Sequence, residues 1–251
     1  MIRLVRAEFT KLTTTRLIYG LTAAMAGFAV LTVVVNATIA GQQGAPPLSA
    51  YSLPVLVAAP VTLLSGAALL LGILGMAGEF RHQTVTGTFL VTPKRGRVVA
   101  AKLIAYPLAG IALTLTILAF TAAVATGWLA AKGITPSLHE PVAHALGHVL
   151  LGAVLAAGLC GLVGVGVAAL VRNQVAALVG VAVWALLVEG LLMSLLNAPS
   201  LAKWLPSAAA AARTNPGGAQ LSRVAGSLLL AGYALALARA GTRLVVRRDI
   251  T

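Results

Sequence analysis

Charge is what this sequence has least of. Only 9% of its 251 residues are Asp, Glu, Lys or Arg, and five are acidic. A soluble domain carries about a quarter charged residues, because something has to face water. With 59% hydrophobic residues and a mean hydropathy of +0.98, a water-soluble globule is excluded. Disorder is excluded on the same ground, since it requires low hydrophobicity and high charge. A single cysteine, Cys160, rules out an intramolecular disulfide. Its Gly-rich apolar surroundings fit a small buried hydrophobe. No G-x-x-x-x-G-K-[ST] sequence occurs, so the chain lacks a phosphate cradle of that kind.

What is present is long apolar runs. A spanning helix needs about 20 mostly apolar residues. Six stretches qualify, at about 17–40, 54–77, 103–131, 146–171, 175–197 and 224–246. They are continuous, whereas barrel strands alternate and are about half as long. The first is too long for a signal-peptide core, and a polar, periodic segment precedes it. The expected fold is all-α, a polytopic membrane protein with six transmembrane helices. Residues 1–251 are expected to form one transmembrane domain, since no connection is large enough to fold by itself.

The formal net charge is +13. In a soluble protein that would suggest nucleic acid. Here the basic residues sort by side, and no nucleic-acid partner is expected. With the N-terminus cytoplasmic, fourteen Lys and Arg residues fall in inner segments and four in outer ones. The positive-inside rule then places both termini in the cytoplasm. Arg172 contributes to this bias from a connection too short to dock anything.

Three segments outside the spans stand out. Residues 1–16 place Ile2, Val5, Phe9 and Leu12 on one helical stripe with Arg3, Arg6 and Lys11 available to the other side. Such a helix lies in the membrane interface, its basic face toward lipid headgroups, either as an anchor or as an elbow leading into the first span. Residues 78–102, GEFRHQTVTGTFLVTPKRGRVVAAK, are too polar to span, and Pro93 stops any helix there. Short surface elements fit this segment better than a plain solvated loop. Residues 198–222, with Pro199, Pro206 and an Ala run, suggest an interfacial or re-entrant piece on the outer side.

Inside the spans, Glu189 is the one deep acidic residue. A carboxylate there costs about 2.5–3.5 kcal/mol on insertion scales, so it needs a partner, water or a proton. A structural carboxyl between helices and a lining residue of an export path or dimer seam both fit. Glu140, His144 and His148 recur every four residues beside His139. Outer-interface polar groups explain them more simply than a metal site, and no metal is expected. Gly158, Gly161, Gly164 and Gly166, with Gly152/Ala156 and Gly164/Ala168, suit close helix packing.

An ordered set of short motifs runs through these segments. AEFTKLTTTR opens the chain, with Glu8, Lys11 and Arg16. Then come Gly78-Glu79, Gly87-Thr88, Thr92-Pro93, Arg95-Gly96-Arg97, Lys102, Leu205-Pro206 and Arg247-Arg248-Asp249. In this order and spacing the chain resembles the ABC-2 type transporter permease family, the small six-helix bacterial exporter subunits. The resemblance covers the whole chain and implies a multi-pass protein of the bacterial inner membrane. It implies that 78–102 couples to a cytosolic ABC ATPase subunit through Glu79, Gly87, Thr88, Pro93, Arg95, Arg97 and Lys102. Residues 1–16 would be the elbow helix. Two permeases, as a homodimer or with a sister chain, would form the path among membrane lipids. ATP and Mg would sit on the ATPase and no cofactor on this chain, which would not itself be an enzyme.

Other classes fit less. An ATP-independent carrier or a signalling membrane protein would lack an ATPase partner. An intramembrane serine protease needs a membrane-embedded Ser with a His base. His82, His139, His144 and His148 lie outside the second, fifth and sixth spans, and no G-x-S-G sequence occurs.

Overall fold

A computed structural model describes residues 1–42, 47–49, 52–81, 95–136, 139–196, 204–205 and 222–247. All regular elements among them are helical. Helix α1 covers Ile2–Thr14 and α2 covers Arg16–Ile39, separated by Thr15 in extended backbone. Three threonines bring about this break. The hydroxyls of Thr13, Thr14 and Thr15 donate to the carbonyls of Phe9, Thr10 and Leu12 at 3.2, 2.8 and 2.8 Å. Such back-bonding gives the end of a helix partners other than a further turn. The Tyr19 hydroxyl reaches back to the Thr13 carbonyl at 3.0 Å.

The second apolar stretch is two helices, α3 (Leu53–Ala58) and α4 (Val61–Arg81), rather than one. Pro60 sits at the break, without an N–H to continue the ladder. Helix α5 (Arg95–Ala131) is long and carries Pro107 inside it. Helix α6 (Glu140–Val171) ends at Arg172, whose φ of 55° is left-handed. Helix α7 (Gln174–Val183) is capped by Asn173, which accepts from the Ala176 N–H at 3.0 Å. A π turn over Trp184–Val188 joins α7 to α8 (Glu189–Leu196). Helix α9 (Arg223–Arg247) closes the described chain.

Six of these stretches are long and apolar enough to cross a membrane: Arg16–Ile39, Leu53–Arg81, Gly96–Ala131, Glu140–Val171, Gln174–Leu192 and Val224–Val245. They coincide with the six expected from sequence to within a few residues, apart from the earlier starts of the third and fourth. The chain has the make-up of a multi-pass membrane protein.

Helix α6 is the centre of the bundle, packed on α4, α5 and α9. Its glycines make this possible. A Cβ on Gly164 would collide with the Leu69 carbonyl, and one on Gly72 would lie 2.9 Å from the Val165 nitrogen. Helices α4 and α6 therefore touch backbone to backbone, as small residues permit in membranes. Gly161 meets Pro107 of α5 and Gly166 meets Leu237 of α9. Gly158 differs, facing only the side chain of Ile111. By contrast α2 and the α7–α8 span bury few residues in the bundle.

Candidate functional site

Helix α1 lies against α5 with Leu12 and Glu8 buried and Leu4, Val5 and Phe9 half-buried. The inward face is therefore Leu4–Glu8–Leu12, one residue type more polar than the stripe expected. Ile2, placed on that stripe by periodicity, is exposed at 86%. Arg3 and Arg6 are exposed, as a basic outer face requires.

Glu8 is the organising residue. Its Oε2 accepts from Lys102 Nζ at 2.8 Å and from the Tyr106 hydroxyl at 3.2 Å. Its Oε1 accepts from Lys11 Nζ at 2.9 Å. Lys11 also donates to Glu79 Oε1 at 2.7 Å, and Lys102 lies 3.0 Å from that same oxygen. Two carboxylates and two ammonium groups thus balance within one cluster. Lys102 is only 1% exposed, and it also donates to the Gly75 carbonyl at 3.0 Å. Its buried ammonium thus has two hydrogen bonds and a second carboxylate beside it.

The cluster is built by three elements. Helix α1 supplies Glu8 and Lys11 one turn apart, α5 supplies Lys102 and Tyr106 one turn apart, and α4 supplies Glu79 and the Gly75 carbonyl. Glycine is required at 75, because a Cβ there would stand inside the Tyr106 ring. The ring fills that space, 5.5 Å from the Lys102 nitrogen.

The electrostatics follow from the pairing. Burial pushes the Glu8 carboxyl up, but Lys102 and then Lys11 outweigh it and hold it below its ordinary value. Burial likewise pushes Lys11 down, and Glu79 and Glu8 hold it above its ordinary value. Glu8 and Lys11 are thus charged in each other's presence.

Of the residues singled out in sequence, Glu8, Lys11, Glu79 and Lys102 meet here. Arg97 is exposed in the first turn of α5, and Arg16 is exposed at the start of α2. Arg95 begins α5. Gly87, Thr88 and Pro93 lie outside the described residues, as does all of 198–222 except Trp204, Leu205 and Ser222. Glu189 is buried in the fifth span, 5% exposed. Its Oε1 accepts from the Trp184 indole nitrogen at 2.9 Å. His144 and His148 meet edge to face with centroids 4.3 Å apart. Among the described residues no group of three His, Cys, Asp or Glu gathers to hold a metal ion.

Two contributors were not visible in the sequence. Tyr106 stands within the third apolar stretch, with its spacing of four from Lys102 the one available signal. Arg172 donates to the Leu244 carbonyl of α9 at 2.6 Å and lies over the Phe80 ring at 5.9 Å. It ties α9 and α4 to the end of α6, a structural part that its topological reading did not include. No family model matches the chain, and no curated protein is significantly similar to it.

Proposed function

We propose that this chain is the transmembrane permease subunit of an ATP-binding-cassette exporter of the ABC-2 type, in a bacterial cytoplasmic membrane. Two permeases would frame the path, and a separate cytosolic ATPase would drive it. The observation carrying this reading is how the long basic connection between the second and third spans is anchored. Glu79 stands just before residues 82–94 and Lys102 just after 95, and both are held by Glu8 and Lys11 of α1. A load applied to that connection by a docked ATPase would reach α1 directly. From α1 it would pass through the extended Thr15 into α2. Rigid elements joined at a short non-helical hinge are suited to turning such a push into helix movement. The bias of basic residues supports a cytoplasmic location for this end of the bundle.

The test is partner capture. Affinity purification in mild detergent, with neighbouring genes at native expression, is expected to bring down a protein carrying a P-loop. Its release should follow substitution of Arg97, which is exposed, more than substitution of Arg172. Recovery of this chain alone would overturn the reading.

A further inference from the structure

The fifth span contains a pair that the cluster around Glu8 does not involve. Trp184 lies ten residues into the span Gln174–Leu192, about 15 Å along at about 1.5 Å per residue. That depth is near the middle of a hydrocarbon core of about 30 Å. Tryptophan ordinarily stays at the membrane interface, and a carboxyl so deep in a span is a functional group by default.

The two residues meet because of local backbone geometry. Side chains five positions apart stand about 140° apart around an α-helix of about 3.6 residues per turn. Over Trp184–Val188 the helix widens, and the Glu189 N–H bonds the Trp184 carbonyl. A π turn of this kind brings residue i+5 back toward residue i, and such turns cluster at functional sites. The indole N–H thereby reaches Glu189 Oε1 at 2.9 Å. The second oxygen, Oε2, is buried without a hydrogen-bond partner among the described residues. The indole itself is 45% exposed, and Leu187 and Leu191 continue an exposed apolar stripe from it.

We propose that Trp184 and Glu189 form a recognition site for a lipophilic organic cation entering from the bilayer. As a statement about exported cargo this rests on the permease reading, whereas binding itself rests on the geometry just described. Once ionised, a half-satisfied carboxyl in an apolar span attracts positive charge strongly, because little solvent screens it. The face of an indole attracts the same charge through its quadrupole. The leucine stripe would accept the apolar body of such a ligand. An inorganic cation fits poorly, since Mg²⁺ or Ca²⁺ takes six or more oxygens and this site offers one free.

The experiment is equilibrium binding of radiolabelled tetraphenylphosphonium to the purified full chain in lipid nanodiscs, with empty nanodiscs subtracted. No ATPase is needed, so failure of binding and failure of the permease reading are separate results. Binding is expected for the wild type, with a loss of about tenfold or more in Glu189→Gln and a partial loss in Trp184→Leu. Trp184→Phe, which keeps a ring, should retain most of it. Neutral triphenylphosphine oxide should not compete. Equal binding by wild type and Glu189→Gln, or none by either, overturns the proposal. So does a monodisperse dimer that dissociates in Glu189→Gln, which would assign the free oxygen to a second copy. Should Glu189→Gln fail to fold, dicyclohexylcarbodiimide labelling of wild-type Glu189, read by mass spectrometry, replaces it. Protection by tetraphenylphosphonium is expected, and absence of protection or of any labelling overturns the site.

Discussion

Lys102 and Glu8, 94 positions apart in the chain, lie 2.8 Å from one another in the interior. Their pairing holds the N-terminal helix onto α5. Removing one partner leaves the other buried with its charge only partly balanced. Lys102→Met strands two carboxylates on the single ammonium of Lys11 and is expected to cost about 3–5 kcal/mol. The double variant Glu8→Gln/Lys102→Met leaves Glu79 and Lys11 balanced and should lose less. Thermal unfolding in detergent, followed by size exclusion, compares the two. A double variant no more stable than the single would show that the cluster is not held by charge balance.

The same cluster predicts an acid and an alkaline limit for α1. Glu8 is held below its ordinary value of 4.5, so its contribution is present above 4.5 and fades as pH falls through the lower folded value. Lys11 is held above 10.5, so its contribution is present below 10.5 and is lost as pH climbs through the higher folded value. A nitroxide at exposed Thr10 should be least mobile between these limits. Glu8→Gln should abolish the acid transition. An acid transition that survives in Glu8→Gln would sink the idea.

Close packing of α4 on α6 predicts a sharp contrast among glycines. Gly164→Ala places a methyl against the Leu69 carbonyl, and overpacking of this sort costs about 1–3 kcal/mol. Gly180→Ala meets nothing within 4 Å and should leave stability unchanged or slightly improved. Equal melting temperatures for the two variants would refute the backbone contact.

Arg172 combines a left-handed backbone with a side chain that reaches α9 and α4. Arg172→Gly relieves the backbone but removes the tether, whereas Arg172→Ala removes the tether and keeps the left-handed strain. The alanine variant is therefore expected to be less stable by about 1 kcal/mol, the usual cost of a left-handed L-residue. Identical unfolding of the two would show that the strain at 172 is relaxed.

Orientation is tested by single cysteines at Thr14 and Gln42, in a background with Cys160 replaced. These positions flank the first span. Only Gln42 should react with an impermeant thiol reagent added outside intact cells. Labelling at 14 instead would invert the topology and move the Glu8 cluster away from any cytosolic ATPase.

Apolar run length was enough to locate the six spans, because hydrocarbon thickness imposes it and little else competes. Periodicity located α1 and put buried Leu12 and half-buried Val5 and Phe9 on one side of it, with Ile2 the exception. It missed Glu8, since a stripe read from hydrophobicity alone has no way to count a carboxylate as an inward residue. That requires knowing that Lys102 and Tyr106 wait opposite, a long-range fact. The break at Pro60 was readable from proline chemistry, yet the apolar run around it concealed the interruption. The π turn at Trp184 leaves no compositional mark, so the contact between Trp184 and Glu189 was invisible in one dimension.

Where α4 and α6 touch at Gly72 and Gly164, no side chain intervenes that could change rotamer. Sliding one helix along the other would drive carbonyl oxygens into main-chain atoms, so this pair behaves as a single beam. Compliance is left to the members that share least surface with it, α2 and the widened fifth span. A cycle of motion in this molecule would therefore turn its periphery about a fixed axle, with the pivot at Thr15 and the stop at the Glu8 cluster.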